Sequence, residues 1–161
     1  MDGLLLSIAE WLDAIGIGPW SREGALTYPV ANTLHLLGLV MLVGGIGVVD
    51  LRVLGLWRGL PLEALSRALT PVAVAGLVVM VPTGIVLFAA DGRALAGSDI
   101  FERKLVLIVI ALANAAAFRA LFDKRLGEWA GVAPPAARIM AALSILLWLT
   151  IGTLGRFIAY G

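Results

Sequence analysis

A long stretch without charge constrains this chain more than any other feature. From Tyr28 to Val49 the sequence contains no Lys, Arg, Asp or Glu, and Asp50 ends the run. A helix of that length can cross the apolar core of a bilayer, which is about 30 Å thick. The stretch also contains His35, the one histidine of the chain. An imidazole at that depth in a membrane is costly unless it faces protein, water or a ligand.

The composition assigns the whole chain to the membrane. Of its 161 residues, 61% are hydrophobic, and the mean hydropathy is +1.01. Soluble domains are only about 45–50% apolar. The net charge of +1 provides no basic tract for nucleic acid, and the absence of cysteine excludes disulfides, iron–sulfur clusters and thiolate zinc sites. A single histidine also excludes a multi-histidine metal cluster within one chain.

Hydropathy and helix-breaking residues divide a single domain, 1–161, into a short helix and four spans. Residues 4–15 have an apolar face and an acidic face, which predicts an amphipathic helix in the membrane interface. The membrane spans are predicted at about 28–51, 71–90, 102–122 and 136–158. A separate surface helix is expected over 62–69, with Thr70-Pro71 opening the second span. The predicted fold class is an all-α integral membrane four-helix bundle with an N-terminal interfacial helix.

Four spans place both chain termini on the same side of the membrane. The loops after the first and third spans contain most of the 12 Lys and Arg residues. Positively charged loops stay in the cytoplasm, so both termini are predicted outside.

Small residues on two spans favour close helix packing. They are Gly38 and Gly45 on the first span, and Ser144, Gly152 and Gly155 on the fourth. Strips of this kind bring helix backbones together. The sequence therefore predicts a homo-oligomer, with packing inside one bundle as the alternative use of the same residues.

His35 is the main candidate for chemistry. Asn32 lies one turn away on the same helical face, whereas Asp50 is about 22 Å further along and cannot touch the ring. Three interpretations stay open: a buried histidine bonded to a carbonyl or threonine, an axial ligand of haem or less favourably of copper, and a proton relay. Asp50 and Arg52 are interpreted as an ion pair or cap at the helix end.

Two cationic residues would suit an anionic group near His35. Lys104 opens the third span, and Arg156 lies one turn from the end of the fourth. Each is interpreted either as an anchor at the membrane surface or as the partner of a haem propionate. Met80 is a candidate for the second axial ligand, with Asn32 fixing the tautomer of His35. The sequence has no nucleophile–base pair and no phosphate loop, so hydrolytic chemistry is not predicted.

Five short stretches spread along the chain carry a resemblance to a known family. They are Leu34-His35-Leu36-Leu37-Gly38, Asp50-Leu51-Arg52-Val53-Leu54-Gly55, Thr83-Gly84-Ile85-Val86-Leu87-Phe88, Phe101-Glu102-Arg103-Lys104-Leu105 and Pro134-Pro135-Ala136-Ala137-Arg138. Together they resemble a bacterial family of small four-helix membrane proteins known mainly as a domain of unknown function. That resemblance implies the bacterial inner membrane and a fold, but little about activity.

The chain has Leu-His near the start of the first span, a proline that opens the second span with Thr-Gly later in it, and Lys-Leu where the third span opens. This order is distantly similar to that of the membrane protoporphyrinogen oxidase and copper-resistance D-type families. The resemblance to the oxidases implies haem b at His35 and a required lysine at Lys104. The chain lacks their second histidine late in the third span and their Asn-Glu-x-Pro motif. The expected function is therefore haem b binding with a redox or electron-transfer role. The alternatives are a cofactor-free transport or channel subunit with His35 as gate or proton relay, and a scaffold subunit.

Overall fold

The computed structural model describes residues 2–129 and 132–158, which form an all-α bundle. Three short helices are α1 (Asp2–Ala14), α2 (Ile17–Glu23) and α5 (Gly92–Ala96). The long helices are α3 (Thr27–Leu54), α4 (Leu62–Ala90), α6 (Asp99–Phe122) and α7 (Pro135–Phe157), and a 3₁₀ helix, Asp123–Glu128, follows α6. Each of the four long segments is long and apolar enough to cross a membrane. The all-α four-helix class is confirmed, and the chain is a multi-pass membrane protein.

The second span is longer than the sequence predicted. α4 begins at Leu62, directly after Pro61, and continues through Pro71, so the separate helix expected over 62–69 is not formed. Leu62 and Ser66 are both buried in its first turns. Their packing holds these turns in line with the rest of the helix and offsets the backbone hydrogen bond that Pro71 removes.

The four long helices are arranged in the spatial order α4, α3, α7 and α6. α4 and α6 complete the circle without packing along their lengths. They meet at one end through the stacked rings of Phe88 and Phe101, whose centroids are 5.4 Å apart. At the other end Arg119 of α6 donates a hydrogen bond to Thr70 of α4. Between these two points of contact, α4 and α6 both contribute side chains to one apolar cluster.

Two names distinguish the ends of the bundle. The terminal end contains the beginnings of α3 and α6 together with α1, α2 and α5. The loop end contains the loop 55–61 and the 3₁₀ helix. An apolar cluster occupies the loop end: Val49, Val53, Leu62, Leu126, Ala133, Ala137 and Ala141. A second one fills the middle: Leu42, Ala73, Ala111, Leu147, Trp148 and Ile151.

The outer surface of the bundle is strongly apolar. Val40, Val109 and Ile139 are 68%, 67% and 69% exposed, respectively. Such a surface is unfavourable in water and matches the acyl chains of a bilayer.

The short helix α1 buries one side against the protein and exposes another apolar side. Leu5, Ala9 and Leu12 are buried, whereas Leu4, Ile8 and Trp11 stay exposed. The single apolar face expected from the sequence is thus divided between the bundle and the surroundings. An exposed apolar stripe of this kind fits a helix that lies in the membrane interface.

Candidate functional site

A glycine contact between α3 and α4 positions the candidate site. A Cβ atom added at Gly76 would lie 2.5 Å from the carbonyl oxygen of Gly38 and 2.7 Å from the backbone nitrogen of Leu42. Only hydrogen fits at these positions, so the two backbones touch. Gly45 makes a similar approach to Ala73 further along the same pair of helices. Gly38 and Gly45 therefore pack inside the chain, which was the alternative to self-association.

This close approach brings the ring of His35 against α4. Nδ1 of His35 lies 3.0 Å from Oγ1 of Thr83. The Thr83 hydroxyl in turn donates to the carbonyl oxygen of Val79 at 2.7 Å, and the carbonyl of Met80 lies at 3.2 Å. A hydroxyl has one proton. Since the Val79 carbonyl is the nearer acceptor for that proton, and the Met80 carbonyl also accepts a hydrogen bond from the ring, we assign the ring proton to Nδ1 of His35, with the Thr83 oxygen as its acceptor.

The direction of this hydrogen bond assigns the tautomer of the neutral ring. With the proton on Nδ1, the lone pair lies on Nε2 of His35. A histidine that binds a metal through one nitrogen usually donates from the other to a protein acceptor, which orients the ring. His35 thus has the arrangement of a histidine prepared to bind through Nε2.

Two further glycines let polar side chains of the terminal end pack against helix backbone. A Cβ at Gly84 would lie 3.2 Å from Cε1 of His35, and a Cβ at Gly155 would lie 3.2 Å from Nζ of Lys104. Lys104 comes from α6 and acts electrostatically on the His35 ring. The terminal end thus brings an imidazole, a hydroxyl and an ammonium group together from α3, α4 and α6.

The remaining predicted site residues occupy different places. Asn32 is exposed on α3, and within the described chain no hydrogen bond joins it to His35, so Thr83 takes the position expected of Asn32. Met80 packs its Cγ against Gly38 and belongs to the middle apolar cluster; its role as an axial ligand stays a prediction. Arg156 is exposed near the end of α7, directly after Gly155.

The predicted ion pair between Asp50 and Arg52 is not formed. Arg52 is buried and donates from Nε to the carbonyl of Leu60 at 2.8 Å and from an Nη atom to the carbonyl of Arg58 at 3.0 Å. It therefore fixes the loop that follows α3, which was the alternative role as a cap. Asp50 faces away from it and accepts from the Ser144 hydroxyl of α7.

The donor set limits the chemistry of the site. Over residues 2–129 and 132–158, no group of three or more His, Asp or Glu side chains could hold a metal ion. A site at His35 would therefore bind a group that needs one protein ligand, such as haem iron, or would transfer protons.

The bond to Thr83 agrees with the first interpretation of His35, which expected a carbonyl or threonine partner, although the sequence did not identify which threonine. Ser144 was missed as the partner of Asp50, because it had been assigned to helix packing. The hydroxyl of Thr83 could be read from the sequence, but the helix that it faces could not.

The architecture defines the chain as a four-span, all-α membrane protein with a polar group at each end of the bundle. Within that class it belongs to the family of unknown function DUF6644, whose model matches residues 9–161. No curated protein and no solved structure matched the chain. The distant resemblance to the oxidase and copper-resistance families therefore stays a prediction.

Proposed function

We propose that the chain binds one haem b through Nε2 of His35 and acts in electron transfer within the membrane. The observation that supports this function is the hydrogen bond of His35 to Thr83, which leaves Nε2 with the lone pair. An imidazole oriented in this way is a common axial ligand of haem iron. When bound, haem would supply one-electron transfer.

The charges around His35 also favour an anionic porphyrin. Lys104 acts electrostatically on the ring, and its ammonium is close to Gly155. Arg156 follows at the surface of the same end. Haem carries two propionates, which cations at the rim of a bundle can neutralise. Lys104 is therefore the proposed propionate partner, and Arg156 is a second candidate.

The available space suggests where the porphyrin would lie. A cavity of about 350 Å³ at the terminal end is lined by α1, α2, α4 and α5 residues such as Arg22 and Arg93, and His35 does not line it. α4 and α6, which carry Thr83 and Lys104, do not pack along their lengths. We therefore propose that the haem would lie between these two helices, with its apolar edge towards lipid.

An absorption spectrum of the protein expressed with ample haem tests the proposal. The wild type should show a Soret band that His35→Ala loses, because the substitution removes the ligand and little volume. Added imidazole should restore the band in His35→Ala by occupying the vacated position. Asn114→Ala, which removes a polar group that bonds Met140 between α6 and α7, should keep the band. Lys104→Ala should release haem to a scavenger protein faster than the wild type.

Two results would contradict haem binding. A wild type without a Soret band, or an unchanged band in His35→Ala, would leave His35 as a proton relay or gate in a transport subunit, or the chain as a scaffold. Metal analysis of the same sample would reveal bound copper, the other ligand considered for His35.

We further propose that both termini face the outside of a bacterial inner membrane, because the loop end contains more basic residues. The chain has no native cysteine, so single cysteines report on topology directly. Gly59→Cys and Gly127→Cys at the loop end should resist an impermeant thiol reagent in intact cells, whereas Gly97→Cys should react. Labelling of Gly59→Cys from outside would reverse the orientation.

The expected homo-oligomer also stays a proposal. Gly38, Gly45 and Ser144 pack within the chain, so Gly152, beside which a Cβ would meet nothing within 4 Å, is the small residue that remains available for self-association. Mass measurement in nanodiscs should give a protein mass that is a multiple of 16.9 kDa for the wild type. Gly152→Leu should contain fewer protomers per particle. A monomeric wild type would exclude self-association.

A further inference from the structure

The loop end contains a buried acid that haem binding does not use. Asp50 is 5% exposed and lies one turn before α3 ends at Leu54. Ser144 donates to its carboxylate, but Oδ2 is completely buried and has no hydrogen-bond partner among the described residues. An ionised carboxylate can accept about four hydrogen bonds. With one donor in place, most of that capacity is unmet, which is costly for a buried charge.

Asp50 also lines a small recess between α3 and α7. The cavity measures about 40 Å³. Its other lining residues are Val43, Ile46, Gly47, Ile145, Trp148 and Leu149. Trp148 is the one of these side chains that has a hydrogen-bond donor, and it does not donate to Oδ2. The accessible lining of the cavity is entirely apolar, so Oδ2 does not open into it. The carboxyl group is thus surrounded by apolar atoms on this side, with no fixed partner for Oδ2 among the described residues.

A positive charge lies near Asp50 but is bound elsewhere. The guanidinium of Arg119 on α6 acts electrostatically on Asp50. Its terminal nitrogens donate to Asp123 and to Thr70 of α4. Asp123 has a side chain 50% exposed, so this ion pair reaches the aqueous surface at the loop end.

The groups facing Asp50 can be assigned helix by helix. α6 contributes the charge of Arg119, α7 contributes the neutral hydroxyl of Ser144, and α4 contributes Thr70 through its bond to Arg119. On its own helix, Arg52 is committed to loop carbonyls. Arg119 is thus the cation of the described helices that acts on Asp50.

From this geometry we propose that Asp50 is a proton-exchange site at the loop end, independent of the proposed haem site. In one state the carboxyl group holds a proton on Oδ2, and Ser144 donates to the other oxygen. In the second state the O–H bond of Asp50 breaks, a water molecule that enters from the loop end accepts the proton, and Arg119 turns from Asp123 to neutralise the carboxylate. No other covalent bond changes, and the proton leaves with the water molecule towards the loop end.

Infrared spectroscopy of the full chain in lipid nanodiscs tests the site. At neutral pH the wild type should show the C=O stretching band of a protonated carboxyl group, and Asp50→Asn should lose it. Asp13→Asn, a change at the ion pair between Asp13 and Arg22 at the terminal end, should keep the band. Ser144→Ala should keep the band but shift its frequency, because the carbonyl loses its donor.

The counterion has its own expected result. Arg119→Gln should move the disappearance of the band to higher pH, since the ionised carboxylate loses its neutralising charge. A band that is identical in wild type and Asp50→Asn at neutral pH, with matching gel-filtration profiles, would overturn the proposal and leave Asp50 as a permanently ionised structural group.

A labelled wild type keeps the test decisive if Asp50→Asn does not fold. With ¹³C at the aspartate carboxyl carbons, a labelled band that titrates supports the site, and exclusively ionised signals at neutral pH reject it. The Soret band, where present, should be unchanged in Asp50→Asn, so failure at one end is distinguishable from failure at the other.

Discussion

The terminal end and the loop end of the bundle both bury ionisable side chains, but they satisfy them differently. At the terminal end, the neutral ring of His35 needs one acceptor, and Thr83 supplies it. At the loop end, Asp50 needs several donors and has Ser144. A neutral ring with one satisfied nitrogen leaves the other for a ligand, whereas an undersupplied carboxylate favours a proton. The proposed haem binding at His35 and the proposed proton exchange at Asp50 both rest on this difference.

The side chains that surround His35 at the terminal end and Asp50 at the loop end also differ. The ring of His35 packs against Gly84 and the ammonium of Lys104 against Gly155, and α4 and α6 do not pack along their lengths. The loop end is filled by an apolar cluster that includes Val49 and Val53 on either side of Asp50. Polar groups thus lie against glycine backbone at the terminal end, whereas apolar side chains surround the carboxyl group at the loop end.

The largest expected effect comes from the glycine contact that connects the two ends. Gly76→Val would force a side chain into the backbone of α3, because a Cβ there lies 2.5 Å from the Gly38 carbonyl oxygen. We expect a loss of about 3 kcal/mol or more in the free energy of unfolding. Thermal unfolding in detergent measures it. Gly44→Val is the matched control, since a Cβ at Gly44 meets nothing within 4 Å. Equal stability of the two variants would disprove the close contact.

The next effect tests the loop end alone. Arg52→Ala removes two charge-assisted hydrogen bonds to the carbonyls of Leu60 and Arg58. The expected loss in the free energy of unfolding is about 2 kcal/mol, because charged hydrogen bonds are worth about 1.5–3 kcal/mol and these carbonyls can regain water. Arg67→Ala, which breaks an exposed pair with Glu63, should cost less than about 1 kcal/mol. A negligible effect of Arg52→Ala would show that the loop does not depend on it.

A smaller effect tests the terminal end. Thr83→Val preserves shape but removes the acceptor for Nδ1 of His35, at a cost of about 1 kcal/mol in stability. Haem retention should weaken as well, because the ring loses its orientation. Thr150→Val is the control, since that exposed hydroxyl bonds to Leu146 of its own helix. If haem loss has the same rate in both variants, the hydrogen bond does not prepare the ligand.

The smallest effect lies between the two ends. Asn114 of α6 donates to the carbonyl of Met140 on α7 at 3.0 Å. Hydrogen bonds between membrane helices average only about 0.6 kcal/mol, so Asn114→Ala should change the free energy of unfolding by that order. Neither the Soret band nor the carboxyl band should change. A cost above about 2 kcal/mol would mean that the middle of the bundle depends on this bond as strongly as either end.

The sequence predicted the broad features because each depends on local composition. Uncharged apolar stretches of sufficient length predict membrane helices whatever their neighbours are. The apolar and acidic faces of residues 4–15 likewise predicted α1. The continuous course of α4 through Pro71 was not predictable, since it depends on the packing of Leu62 and Ser66 against other helices.

His35 could be selected from the sequence because a solitary imidazole in an apolar span is costly wherever it points. Its partner could not be selected. Helical periodicity ranks residues on the same helix, so it favoured Asn32, whereas the true acceptor, Thr83, is 48 positions away on a helix whose rotation the pattern leaves open. Asp50 and Arg52 were assigned to each other for the same reason, and their actual partners are Ser144 and two loop carbonyls.

The sequence by itself thus determined the class of protein, the number of spans and which side chains are expensive to bury, because transfer from water to lipid depends on each segment alone. Tertiary structure decided which groups meet those side chains. Contacts such as Gly38 with Gly76 set the distance and rotation of neighbouring helices. From that rotation follow the lone pair on Nε2 of His35 and the unpartnered oxygen of Asp50.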